Sequence, residues 1–161
     1  MENTMTKVIT MKKIIESLPY ELSECTSEQA PWTSLVEEDF HIAIFKDGFP
    51  VSNGHLLFVP KYNTVDVLAD AVADAIAQGQ RIVAEGNCDG YNIGINIGEA
   101  AGQTVAWPHV HMIPRRVGDV TDPRGGVRNV IPRLGNYKSK GFGDAYDEVN
   151  KWYGDFGDAR D

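Results

Sequence analysis

The chain has 161 residues, 42% of them hydrophobic and 24% charged, a length and mixture that suit one domain with its own core and exclude wholesale disorder. Asp and Glu outnumber Lys and Arg 23 to 15, a net charge of −8, which argues against a protein that coats nucleic acid or holds a membrane through basic patches. No run approaches the ~20 apolar residues of a membrane span, and the start MENTMTKVITMKK lacks the apolar segment of a signal peptide, so the expectation is a cytoplasmic protein.

Residues 1–38 carry little pattern beyond a short helix over Lys12 to Ser17. Phe40 to Phe45 is rich in β-branched and aromatic residues and predicts a strand. Lys46-Asp47-Gly48 and Ser52-Asn53-Gly54 then supply turn chemistry, and His55 to Val59 forms a second apolar run stopped by Pro60. The two runs read as a hairpin-like pair. Between Thr64 and Glu85, Leu68, Val72, Ile76 and Val83 recur at three- and four-residue spacing with Ala75 and Gly79, while Asp66, Asp70, Asp74 and Gln78 take another face. That pattern predicts an amphipathic helix, ended by the Gly86 to Gly90 turn. Tyr91 to Ile97 alternates as a strand, and a further strand is expected from about Thr104 to Ile113, closed by Pro114. Tyr146, Val149, Trp152 and Tyr153 share helical spacing and predict a C-terminal helix. Cys25 and Cys88 make no C-x-x-C pair and are expected to be reduced, buried thiols.

The histidines are His41, His55, His109 and His111, the last two an H-x-H pair in a predicted strand. Side chains two apart on a strand share a face, about 6 to 7 Å apart at their attachment points, so both rings can flank one small anionic group. A neutral imidazole offers a lone pair that attacks phosphorus or binds metal, and its neighbour can donate a proton. Two ordinary half-buried histidines fit H-x-H alone as well, and zinc binding is the next reading. Just upstream, the glycine-punctuated segment from Asn96 to Val105 offers backbone amides and a hydroxyl to an anion. Its glycine spacing matches neither a dinucleotide fingerprint nor a P-loop.

The stretch GQTVAWPHVHMIPR is similar to the motif of the histidine triad (HIT) family, with Trp107, His109 and His111 in the three alternating positions. DGFPVSNGHLLFVPK upstream and GDVTDPRGGVRNVIP downstream also resemble family segments. The likeness covers roughly residues 38 to 133 of what reads as one domain over 1–161, with extensions at both ends. It implies an α+β fold: an antiparallel sheet of about five strands with one long helix and a C-terminal helix, often dimerising. It also implies a nucleotide hydrolase acting at an α-phosphate through a covalent nucleotidyl-histidine. On that template His109 is the nucleophile, His111 helps the leaving group depart, and His55 supports the cluster. Asp47 fits the ribose position, while Asn96, Gly102, Gln103 and Thr104 fit positions around the phosphate. Phe45 and the run Leu56 to Phe58 fall where a base pocket is expected.

Trp107 departs from the family, which has histidine there. The nucleophile's Nδ1 needs only the backbone carbonyl at that position, and tryptophan retains it. His55 must then find another partner. Pro108 removes a ladder donor and suits an edge or a strand start. From Met112 to Lys140 seven basic residues (Arg115, Arg116, Arg124, Arg128, Arg133, Lys138, Lys140) face two acidic ones (Asp119, Asp122), a patch that could hold polyphosphates. Histidine rather than glutamine at 111, with the GDVTDPRGGVR segment, resembles bacterial dinucleoside polyphosphate hydrolases. An adenosine phosphoramidate is the alternative substrate. No cofactor or resident metal is expected, although a divalent cation could arrive with the substrate phosphates. The expected partners are a small nucleotide and a second copy of the chain. The rival readings are a nucleotide-binding module without turnover and a metalloprotein using His109, His111 and His55.

Overall fold

The computed structural model describes residues 10–138 and Gly143. The apolar runs Ile42–Lys46 (β2) and Leu56–Pro60 (β3) form an antiparallel pair, with Ile42 opposite Pro60 and Lys46 opposite Leu56. A helix, Val65–Ala84 (α2), follows, then Gly90–Gly94 (β4) and Val110–Arg115 (β5), which pair antiparallel with Gly94 opposite His111. β5 inserts beside β3, and Leu35–Glu38 (β1) flanks β2, giving an antiparallel sheet in the order β1-β2-β3-β5-β4. The five-stranded α+β architecture expected from the sequence is the one observed.

Because neighbouring side chains leave a strand on opposite faces, the sheet builds two cores. On one face Ile42, Phe58, Val110 and Met112 pack against Val67, Ala71 and Ala75 of α2. On the other, Leu57, Val59 and Trp107 gather Leu18, Leu22, Trp32 and Phe45. The helix is rotated slightly from its expected facing: Ile76 is 40% exposed, and the buried residues are Val67, Ala71, Ala75 and Gly79. The reason is close approach. A Cβ on Gly79 would stand only 2.6 Å from Tyr91 Cδ2, so the sheet-facing side is centred on the small residues Ala71, Ala75 and Gly79, with Leu68, Val72 and Ile82 packed at its margins.

β5 begins later than expected, at Val110 instead of about Thr104, and continues through Pro114 to Arg115. Pro108 cannot donate to a ladder. Before it, both amide hydrogens of Gln103 are taken by the carbonyls of Val105 and Ala106, at 3.0 and 2.9 Å, which holds that segment as a loop. Pro114 is tolerated because β5 meets β3 only from Val110 to Met112. β4 stops at Gly94, short of the expected Ile97. The short N-terminal helix runs Met11–Glu16 (α1). β1 lies in the stretch where the sequence offered no strand. Cys88 is buried, but Cys25 is only half-buried, and both thiols are free.

Residues up to Arg116 form one compact unit and those from Val117 a second. In the second, a 3₁₀ turn over Gly126–Val130 leads into Pro132–Gly135 (α3), and Asp122 accepts from both Arg124 and Asn136 at 2.8 Å. The C-terminal helix expected around Tyr146 to Tyr153 lies outside the described residues. Among the described residues no helix is long and apolar enough to cross a membrane.

Candidate active site

The period of two puts Trp107, His109 and His111 on the sheet face opposite α2. His111 stands on β5 opposite Leu57, and His109 immediately precedes the strand. Their rings meet edge to face with centroids 4.9 Å apart. His109 Nδ1 donates to the Trp107 carbonyl at 2.9 Å, which leaves the Nε2 lone pair of the neutral ring unprotonated. Burial pushes the His109 pKa below its ordinary value, against the opposing pull of that carbonyl and of Asp47. Trp107 itself is fully buried; its indole Nε1 donates to the Pro60 carbonyl at 2.8 Å and its backbone N–H to the Gln29 carbonyl at 3.1 Å. The indole thus fills the core, while its backbone carbonyl addresses the histidine.

His55 follows Gly54, whose φ of +89° admits the tight turn into β3. The Val51 N–H donates to His55 Nδ1 at 3.3 Å. The proton of a neutral His55 ring therefore sits on Nε2, which faces His111 Nδ1 at 3.0 Å and Asp47 Oδ2 at 3.4 Å. Acceptance at Nδ1 leaves the His111 proton on Nε2. A chain of donors thus runs from a backbone amide through two imidazoles and ends in an N–H that His111 can offer to a ligand. Burial depresses the pKa of His55, with Asp47 opposing. His111 is held down to about 4, first by burial and then by the nearby His109 and His55. All three rings are uncharged at neutral pH. Asp47 also accepts the Phe49 N–H through Oδ1 at 2.7 Å, which orients its other oxygen toward the histidines.

His109, His111 and Asp47 open into a cavity of about 300 Å³ together with Asn96, Gly102, Gln103 and Thr104. Gly98 and Gly102 hold φ of +86° and +83°, a conformation that favours glycine. Immediately after Gly102 the buried Gln103 accepts the Gly98 N–H at 2.8 Å through Oε1. Gln103 is therefore committed to holding the loop, and Thr104 is the exposed hydroxyl in it. Phe45 is not among the lining residues; it packs on Trp32 with centroids 6.0 Å apart. Of the apolar run only Leu57 reaches the cavity, since Leu56 and Phe58 face α2. Trp32 and Phe49 complete the wall. Trp32 sets its ring edge to face against His109 at 4.9 Å. The sequence reading missed Trp32 because it lies in an irregular stretch without periodicity. Cavities of about 260 and 310 Å³ lie elsewhere in this unit, but neither contains a histidine, and the first is lined by Glu37, Glu38, Asp39 and Asp74, the wrong sign for a phosphate.

Several of the expected basic residues serve nearby structure. Arg115 donates to Asn92 Oδ1 at 2.7 Å, Arg116 to the carbonyls of Asn53 and Asn87, and Arg124 to Asp122.

A neutral imidazole oriented by a backbone carbonyl, beside a second imidazole on the same strand face, is the arrangement that the alternating motif encodes, and the HIT domain model matches residues 28–118. The chain belongs to the HIT domain family. An uncharacterized HIT-like protein of Mycobacterium tuberculosis is 40% identical over 98 residues, covering 56% of this chain and 67% of its own. The HIT family also includes an adenylylsulfatase of Arabidopsis thaliana, 34% identical over 56% of this chain and 49% of its own length. An adenosine 5'-monophosphoramidase of Saccharomyces cerevisiae is 33% identical over 55% of this chain and 57% of its own.

Proposed function

We propose that this HIT protein hydrolyses nucleotides at the α-phosphate in two displacements through His109. The supporting observation is the 2.9 Å bond from His109 Nδ1 to the Trp107 carbonyl, which leaves Nε2 as the free nucleophilic nitrogen. In the first step the Nε2 lone pair bonds to the α-phosphorus as the bond to the leaving group breaks, giving a nucleotidyl-histidine. As the Nε2 bond forms, positive charge develops on the ring, and the carbonyl at Nδ1–H stabilises it. His111 offers Nε2–H to the departing group or to a phosphate oxygen. The arriving phosphate charge favours the protonated form of that ring, and the imidazolium can then pass a proton to the leaving group. In the second step water attacks phosphorus and its proton passes to the His111 ring left neutral by the first step, while the P–N bond breaks and the electron pair returns to His109 Nε2.

In this reading Asn96 and Thr104 meet the phosphate, Gln103 holds the loop that carries Thr104, and Asp47 takes the ribose hydroxyls. Trp32 and Leu57 flank the nucleoside, and a second copy of the chain is the expected protein partner. The sequence favours a dinucleoside polyphosphate. A smaller leaving group on adenylate is the second reading, favoured by the sulfatase and phosphoramidase activities that two relatives carry by name. The test is a product assay over both substrate classes with α-³²P label, quenched in alkali. His109→Ala is expected to abolish both turnover and protein-bound label. Turnover retained in that variant sinks the mechanism.

A further inference from the structure

We propose that Ser52 is a positioning residue of the active site: its hydroxyl seats the turn before β3 on β5 and thereby fixes which nitrogen of His111 carries the proton. β5 outruns its partner. β3 begins at Leu56, opposite Met112, and the same register brings Gly54 opposite Pro114. The Arg115 carbonyl accepts the Asp89 N–H on the β4 side, so by alternation along the strand the Pro114 carbonyl faces the β3 side. There the chain has already turned away at Gly54, and a carbonyl without a ladder donor needs another partner. The Ser52 hydroxyl is that partner: Oγ donates to the Pro114 carbonyl at 2.7 Å. The seat is close, since a Cβ added to Gly54 would stand 3.3 Å from Pro114 Cγ. Arg116 adds a second tie, from Nη1 to the Asn53 carbonyl at 3.2 Å.

The seated turn reaches the imidazoles through its backbone. The His55 N–H donates to the Ser52 carbonyl at 3.2 Å, and the Val51 N–H donates to His55 Nδ1 at 3.3 Å. The second bond keeps the His55 proton on Nε2, 3.0 Å from His111 Nδ1. It lies past the usual range of about 2.7–3.2 Å, so a small displacement of the turn breaks it. His55 Nδ1 is then free to take the proton, which leaves a lone pair on Nε2 facing His111 Nδ1. The His111 proton answers by moving to Nδ1. Its Nε2 then offers a lone pair where an arriving phosphate oxygen needs a donor. Ser52 is not among the residues lining the histidine cavity, so it acts only through the turn. The consequence for turnover, unlike the tautomer itself, rests on the proposed function.

The experiment records nitrogen NMR spectra of the full chain with ¹⁵N-labelled histidine above neutral pH, where the shifts tell a protonated ring nitrogen from a bare one. Wild type should carry the His111 proton on Nε2. Ser52→Ala should move much of it to Nδ1 and lower kcat/KM on adenosine phosphoramidate about tenfold, the size of one hydrogen bond to a charged group. Ser52→Thr keeps the hydroxyl and should keep both the wild-type spectrum and the wild-type rate. Ser52→Cys, a weak donor, should fall between, and it carries the test if the alanine variant does not fold. Ser23→Ala, at an exposed serine bonded to Glu21, should change nothing, with circular dichroism confirming the fold of each variant. A wild-type His111 spectrum in folded Ser52→Ala or Ser52→Cys, or alanine-like behaviour of Ser52→Thr, overturns the proposal. Tautomers that shift while kcat/KM stays constant uphold it and instead remove His111 as the donor to phosphate in the proposed function.

Discussion

His55 and His111, far apart in sequence, meet nitrogen to nitrogen at 3.0 Å, and this contact decides which nitrogen of His111 carries its proton. Replacing His55 by Ala removes the donor and lets the His111 ring change tautomer. We expect kcat to fall on the order of 100-fold, the usual size of a general acid–base contribution, with KM little altered. Steady-state kinetics on the folded variant check this, and a loss confined to KM would contradict it.

Trp107 stands where the family has histidine, yet His109 hydrogen-bonds only its backbone carbonyl. Trp107→Ala is expected to cost about 3–5 kcal/mol, as for other large buried aromatics. Trp107→His should cost nearly as much, because it leaves a void and loses the bond to the Pro60 carbonyl. Urea denaturation measures both. The kcat of folded Trp107→His should equal that of wild type, and a clear gain would mean that the absence of a third imidazole limits the reaction.

The depressed histidines make stability fall in mild acid. His111 is held at about 4 against an ordinary value of 6.5, so below 6.5 the unfolded chain binds the proton before the native one does. Its contribution is complete above that value and is lost as pH drops through about 4, amounting to about 3 kcal/mol. His55 and His109 shift in the same direction. Urea midpoints of the metal-free protein should decline between these two pH values. An unchanged midpoint would show that the rings are not held neutral.

Gln103→Ala removes three hydrogen bonds from the loop beside the cavity. Each buried partner left unpaired costs about 1–3 kcal/mol, unless the loop opens to water. We expect the loop to open, KM to rise more than kcat falls, and amide exchange to accelerate from Gly98 to Ala106. Unchanged exchange there would assign Gln103 another role.

Gly79→Ala tests the approach of α2 to the sheet. Alanine favours a helix over glycine by up to about 1 kcal/mol, but its methyl would press on the Tyr91 ring. Overpacking of this kind costs about 1–3 kcal/mol, so the variant should lower the urea midpoint. A stabilised variant would show that the ring yields freely.

Much of this molecule is legible in its sequence. β-Branched and aromatic composition marked β2, a compact apolar run between turns marked β3, helical spacing marked α2, and the H-x-H spacing placed His109 and His111 on one face, because backbone periodicity fixes which side chains share a side. What the tertiary structure decided lies in contacts between distant segments. The apolar stripe of α2 was read one residue off, since the sheet selected the small residues that permit close approach. Trp32 reaches His109 from a stretch without pattern, and Phe45 packs on that indole instead of lining the cavity. Residue types and their period belong to the chain locally. Proton positions on three imidazoles and the spacing of Asp47, His55 and His111 depend on how β3, β5 and the turn before them pack together, and no local pattern encodes that.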